Sequence, residues 1–328
     1  MLALALFVIA RDPWLWPFDS KSIWNVPIGD GARYESIKLP RPSYCGVDEE
    51  RFVRLASNDP VREIREPLDW AKRWPGGRKI GEMPVPDDLI IPDASPPSTP
   101  NACTTFLMPD GHTLIQLEPT CRVEPKGPIV GYPRRGEDLY GMGIYGTHWG
   151  SGLSSIGGSI RLGELTRKSA ISHALKLNLW GKWLAFHGAT PGYRWPADRA
   201  EAMAKSTYQG TNPKLVMGAL LALAPELTSK SLGLTTQVGD KLFHALQDYG
   251  AYLSDDSGWN AVDLCAEIGV IEEVKAKTGL ELSGGSGPLF EDEVRLIRAL
   301  TIIENNCPSA IGGGGKRRRD LAPPILRD

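Results

Sequence analysis

The sequence predicts an α+β protein with a β-sandwich core and several peripheral helices, placed mostly toward the C-terminus. Three observations carry this. Residues 171–180, ISHALKLNLW, alternate in type, with Ile171, His173, Leu175, Leu177 and Leu179 facing one way and Ser172, Ala174, Lys176, Asn178 and Trp180 the other. That is the period of a half-buried strand. Apolar runs on either side of Pro109–Asp110–Gly111 read as a hairpin. Thr236–Asp248 sets Val238, Leu242, Phe243 and Leu246 on one helical stripe that ends at Gly250.

The remaining elements follow in order. Residues 2–10, LALALFVIA, are too short for a bilayer span, which needs about 20 residues. They resemble the apolar centre of a secretory signal, with Val8 and Ala10 at a small-residue cleavage pattern; a buried N-terminal strand is the alternative. In the Trp- and Pro-rich residues 11–45, Pro13, Pro17, Pro27 and Gly29 forbid long helices and predict an extended segment laying its aromatics on the body. Asp48–Leu55 and Val61–Trp74 are compatible with helix. Residues 83–100 carry six prolines and predict loop with a short edge strand. GSIRLGEL (158–165) reads as a further strand, with Ile160, Leu162 and Glu164 on one face. A short helix is expected over Asp198–Lys205, with Asp198 as its N-cap, and longer ones near Ala261–Thr278 and Glu291–Ile303. Ala251–Ser254 reads as a strand. The tail from about residue 312 is Gly- and Arg-rich, then Pro-rich, and is expected on the surface. Residues 11–328 show no repeat or charged linker, which predicts one domain.

Composition narrows the function. The chain has 36 glycines and 27 prolines in 328 residues, which suits a turn-rich protein of short strands. Lys+Arg number 37 against 39 Asp+Glu, for a net charge of −2. That balance argues against a nucleic-acid partner, and no later stretch reaches membrane-spanning length. None of the five cysteines forms C-x-x-C. Cys103 and Cys121 flank the hairpin, so they are either a disulfide suited to an oxidising compartment or two buried thiols. GGGGKRRRD (312–320) lacks the Ser or Thr of a phosphate loop, GMGIYG (141–146) has no following helix, and H-E-x-x-H and G-x-S-x-G are absent.

Four constellations are candidates for chemistry. Glu164 and His173 lie on otherwise apolar faces, where an unpaired charge is costly, so they are expected to pair with each other near Arg161. His148 lies in a Gly-rich loop beside Trp149, a sugar-stacking candidate. Tyr249 and Tyr252 mark a helix-to-strand junction, with a phenol as proton donor, followed by Asp255 and Asp256, candidates for a structural calcium or a carboxylate pair. Tyr193, Arg194 and Trp195, near Tyr208 and Asn212, suit a polyhydroxylated or acidic polymer. Lys176, Asn178 and Trp180, on the polar face of the His173 strand, are expected to bind substrate. No cofactor is expected.

Arg161, Glu164–Leu165, His173 and a late Tyr249 or Tyr252 resemble the motif strands of jelly-roll polysaccharide lyases of the alginate-lyase type. Ile171 stands where that family has Gln, and Glu164 comes one residue later than its counterpart. The resemblance implies a jelly-roll-like core and β-elimination on a uronic-acid polymer. His173 or His148 would take the C5 proton, Arg161 neutralise the carboxylate, and Tyr249 or Tyr252 protonate the leaving oxygen. The pattern WNVPIG…HWGSGLSSIGGSIRLGEL…HALKLNLW is also similar to a group of secreted microbial proteins, which implies extracellular or periplasmic life and a single fold. A glycoside hydrolase using Glu164 with Asp255 or Asp256 is the second enzyme reading. A lectin-like or structural surface protein binding through Trp149, Tyr193 and Trp195 is the third.

Overall fold

The computed structural model describes residues 11–325 except 97, 99 and 187–191. The apolar run at 2–10 lies outside the described residues. The strands are β1 (Tyr34–Ser36), β2 (Tyr44–Arg54), β3 (Val61–Arg65), β4 (Lys79–Pro84), β5 (Thr104–Leu107), β6 (Thr113–Cys121), β7 (Ile129–Asp138), β8 (Leu175–Trp180), β9 (Leu220–Leu223), β10 (Ala251–Ser257), β11 (Ala261–Glu267) and β12 (Leu300–Ile303). Their order is β1-β12-β9-β10-β8-β11-β2-β5-β6-β7-β3-β4, a large mixed sheet. The helices are α1 (Ala204–Thr207), α2 (Ser229–Leu232), α3 (Gln237–Asp248), α4 (Val270–Thr278) and α5 (Pro288–Ala299). The protein is therefore mostly β, with its few helices in the C-terminal half. None of them is long and apolar enough to cross a membrane.

One strand joins the two halves of the sheet. Residues 44–50 of β2 run parallel to β11, and residues 51–54 run parallel to β5. Parallel pairs also join β10 to β8 and β3 to β7. A jelly roll pairs its strands antiparallel, so these four parallel pairs are a departure from the expected topology.

Each half has its own core. Leu175, Leu177 and Leu179 of β8 pack with Val238, Leu242, Phe243 and Leu246 of α3 and with Val294, Leu296 and Ile297 of α5. Burying a Leu or Phe side chain contributes about 1.5–3 kcal/mol, which outweighs the weak intrinsic preference of short segments. Thr236 caps α3 by accepting from Gly239 N–H, and Gly250 turns out of it at φ +79°. The N-terminal segment lays Trp14, Phe18, Ile23, Trp24 and Ile28 over the opposite face of the sheet, as its composition predicts. A third cluster, around Phe106, Ile115, Leu117 and Ile129, fills the β5–β7 half.

Several expectations are corrected. Asp48–Leu55 is strand, not helix: Cys45 and Val47 reach the core while Asp48 and Glu50 occupy the other face. Val61–Trp74 forms β3 and a turn, and β4 at the sheet's far edge takes the start of the Pro-rich stretch. Residues 158–165 make turns, with Ile160 alone bridging Ala266. Ala261–Glu267 is strand β11, and α4 begins only at Val270. Asp198 caps no helix; its carboxylate pairs with Arg134 and Arg199, and α1 starts at Ala204. Of the two readings of Cys103 and Cys121, the disulfide is absent and the buried free thiols are found. In the β5–β6 register Thr104 pairs with Leu117, which leaves Cys121 well past the position opposite Cys103. The strand β8 is not half-buried, because Lys176 and Asn178 on its polar face are buried like its leucines and only Trp180 is partly exposed.

Candidate functional site

Four neighbouring strands, β10, β8, β11 and β2, turn a polar face away from α3 and α5. It presents Asp255 from β10, Lys176 and Asn178 from β8, Asp263 from β11, and Asp48 and Glu50 from β2. Cross-strand register holds them side by side: Asp255 lies opposite Asn178, and Asn178 opposite Asp263. The loop from Gly146 to Ser155 closes over this face. Its glycines serve close approach. A Cβ on Gly150 would lie 2.4 Å from Asp255 Oδ1, and one on Gly146 would lie 2.3 Å from Gln116 Oε1. Backbone without side chains is what lets the loop press His148 into the sheet.

His148 is completely buried. Its Nε2 lies 2.7 Å from Glu50 Oε1, and Lys176 Nζ donates to the same oxygen at 2.7 Å. Lys176 also donates to the carbonyls of Ser154 (2.9 Å) and Ser155 (2.6 Å), and Ser159 donates to the second Glu50 oxygen. Burial alone would raise the Glu50 carboxyl; Lys176 and His148 outweigh it and hold Glu50 below the ordinary carboxylate range. On the other side of the ring, Nδ1 faces Cys103 Sγ at 3.9 Å and Asp255 Oδ2 at 3.7 Å. Burial opposes an imidazolium here, but Cys103 and Asp255 outweigh it and raise the proton affinity of His148. Burial and the charge of Glu118 push the Cys103 thiol well up, which is unsuited to a nucleophilic thiolate.

Above this layer opens a cleft of about 800 Å³. Asp48, Glu201, Asp255, Asp256 and Asp263 line it, and Trp70, Trp149 and Trp259 stand around it with exposed ring surface. Oxygens of Glu201, Asp255 and Asp256 lie within 4.8 Å of one another. Burial, then the neighbouring charges of Asp255 and Asp256, raises Glu201 to about 8. Burial and Asp255 raise Asp256 to about 7, and burial with Asp48 raises Asp263 to about 7. Asp48 rises to about 6, chiefly through burial, while Asn101 bridges it to Asp255 at 3.1 and 3.3 Å. Asn178 donates to Asp48 at 3.3 Å. Crowded, partly desolvated carboxylates of this kind exchange protons near neutral pH.

The expected site residues distribute as follows. Trp149 and Asn178 line the cleft. Lys176 and His148 lie beneath it, with Lys176 sealed and fully engaged. Glu164 and His173 do pair, at 3.1 Å. Each outweighs the other's burial, lowering Glu164 and raising His173. They stand apart from the cleft, where His173 and Arg161 border a cavity of about 10 Å³ with Trp16 and Trp24. Arg161 is spent on Glu267 at 2.9 Å and on the Trp14 carbonyl, and it stacks 4.5 Å over Phe52. Tyr249 and Tyr252 are core residues, Tyr252 packed edge-on against Trp24. Arg194 donates to the carbonyls of Glu304 and Asn306, Tyr193 and Trp195 pack on the two cores, and Trp180 packs against Trp183. None of these lines the cleft.

Asp48, Glu50, Glu118, Glu201 and Asp263 were not singled out by sequence reading. The signal available was partial: Asp263 stands between Val262 and Leu264, and Asp48 and Glu50 fall in step on either side of Glu49. Glu201 lies in an ordinary polar segment and had no such signal. Compared with known proteins, the chain matches no family model, no curated protein and no solved structure.

Proposed function

We propose that the protein is a carbohydrate-active hydrolase whose acid and nucleophile are Glu201 and Asp256. The observation that carries this reading is the grouping of carboxyl oxygens within 4.8 Å in an open, tryptophan-bordered cleft. Retaining glycosidases hold their two carboxyl groups about 5–5.5 Å apart. Glu201 at about 8 keeps its proton at neutral pH and can give it to the glycosidic oxygen. Asp256 at about 7 is ionised in part and can attack the anomeric carbon. Water then resolves the glycosyl ester, with Glu201, now ionised, taking its proton. Trp70, Trp149 and Trp259 offer the flat apolar faces that pack on sugar rings.

The geometry favours hydrolysis over β-elimination. A lyase needs its histidine base, arginine and tyrosine around one sugar, whereas Arg161, His173, Tyr249 and Tyr252 stand outside the cleft. An extracellular or periplasmic setting is part of the proposal and rests on the apolar run at residues 2–10. A sandwich core is also proposed, with β2 as the strand that passes from one layer to the other. Its divided pairing at residues 50–51 supports this, as does a core cluster that takes Leu107 and Leu114 from one half and Ala174 and Tyr252 from the other.

Incubation with a panel of neutral and acidic polysaccharides tests the reaction. Reducing ends should appear without absorbance from an unsaturated product. An ultraviolet-absorbing product would select the lyase instead, and no turnover of any glycan would overturn both.

A further inference from the structure

Beneath the cleft, carboxylate oxygens of Glu118 and Asp255 and a ring nitrogen of His148 lie within 4.8 Å of one another. We propose that these three residues bind a divalent cation of the zinc class. The site shares Asp255 with the carboxyl grouping of the hydrolase reading, but its test reads bound metal and not turnover.

Three observations point to a ligand. First, Glu118 is completely buried, and only one of its oxygens is engaged: Oε2 accepts the Trp149 N–H at 2.8 Å, while Oε1 has no hydrogen-bond partner among the described residues. An acceptor sealed from water without a partner costs about 1–3 kcal/mol, more if charged, and a cation removes that cost. Second, the ring of His148 is held in the orientation of a ligand. Lys176 Nζ has three N–H groups and four neighbours, the oxygens of Glu50, Ser154 and Ser155 and, at 2.9 Å, His148 Nε2. With the three oxygens taking those hydrogens, Nε2 of His148 keeps its own and donates it to Glu50 Oε1 at 2.7 Å. A carboxylate on the far nitrogen is the usual partner of a metal-bound histidine, fixing its tautomer and raising its basicity. The nitrogen left facing the cluster is Nδ1, 3.7 Å from Asp255 Oδ2.

Third, the spacing suits a small ion. Bonds of about 2.0–2.1 Å in a tetrahedron place ligand atoms about 3.3–3.4 Å apart; Nδ1 and Asp255 Oδ2, at 3.7 Å, are close to that spacing, and the third atom lies within 4.8 Å of both. One nitrogen and two carboxylate oxygens match zinc better than calcium or magnesium, which take all-oxygen sets. Glu118 borders a second pocket, of about 230 Å³, and Asp255 borders the main cleft, with Trp149 shared between them. The cluster thus lies between the two pockets.

Chelator-stripped protein loaded with zinc chloride tests the site by metal analysis and by competition with a chromophoric chelator. One zinc per chain is expected, with a raised melting temperature. Glu118→Gln and Asp255→Asn should each weaken binding more than about tenfold, while Glu164→Gln, away from the cluster, should bind as the parent does. Substoichiometric zinc in the parent, or unchanged affinity in both amide variants, overturns the proposal. Should the variants fail to fold, the parent still decides it: zinc that leaves its melting temperature unmoved counts against the site.

Discussion

Nε2 of His148 and Oε1 of Glu50 meet at 2.7 Å, fully buried, although 98 residues separate them in the chain. Lys176 completes the contact from β8. The loop and the central strands β2 and β8 are thereby tied at one point.

Glu50→Gln should be among the most destabilising single changes outside the apolar cores. It removes the charge that balances Lys176, whose ammonium would be left buried. Breaking a buried pair this way costs about 3–5 kcal/mol. Chemical denaturation measures the loss, and a variant within about 1 kcal/mol of the parent would deny the network its structural weight.

Glu201→Gln should leave the melting temperature near that of the parent and lower kcat by about 10²–10⁴, the range for loss of a general acid. Steady-state kinetics on the best polymer found would read it. In the parent, activity should fall as pH rises past about 8, where Glu201 loses its proton.

The anomeric configuration of the first-formed product should be retained. Proton NMR early in the reaction distinguishes the two outcomes. Inversion would mean that the oxygens within 4.8 Å are not the reacting pair, since inverting enzymes separate theirs by about 6.5–9.5 Å.

Stability should decline as pH rises from about 4 to about 8. Unfolded carboxyls titrate near 4, whereas folded Asp48, Asp256, Asp263 and Glu201 do so at about 6, 7, 7 and 8. The folded chain holds more protons in that window, so their contribution is fully present below it and lost as these groups ionise. Asp263→Asn should flatten the melting temperature against pH, most clearly between about 5 and 7. An unchanged slope would remove Asp263 from the cluster's electrostatics.

Reductant should not alter the melting temperature, because the described structure contains no disulfide. Thiol titration of the native chain should label Cys307 first, while Cys45, Cys103, Cys121 and Cys265 react only on unfolding.

By itself the sequence determined the elements whose signals are local. Thr236–Asp248 has a cap, an apolar stripe and a terminating Gly, and it is a helix. Pro109–Asp110–Gly111 is a turn between apolar runs, and it joins β5 to β6. The glycines around His148 serve close packing of that loop on the sheet rather than mobility. What the tertiary structure decided was which polar faces are solvated. Asp48–Leu55 and the start of Ala261–Thr278 read as helix because charged residues crowd them locally, yet Asp48, Glu50 and Asp263 stand on strand faces turned away from the helices. Those acids face one another across neighbouring strands, where register brings Asp263 opposite Asn178 and Asp255 beside Asn101. Alternation reveals that a strand has two faces. Only the pairing of distant strands reveals that the polar face of one is the wall of a shared site, because the field that shifts each carboxyl comes from residues remote in the chain.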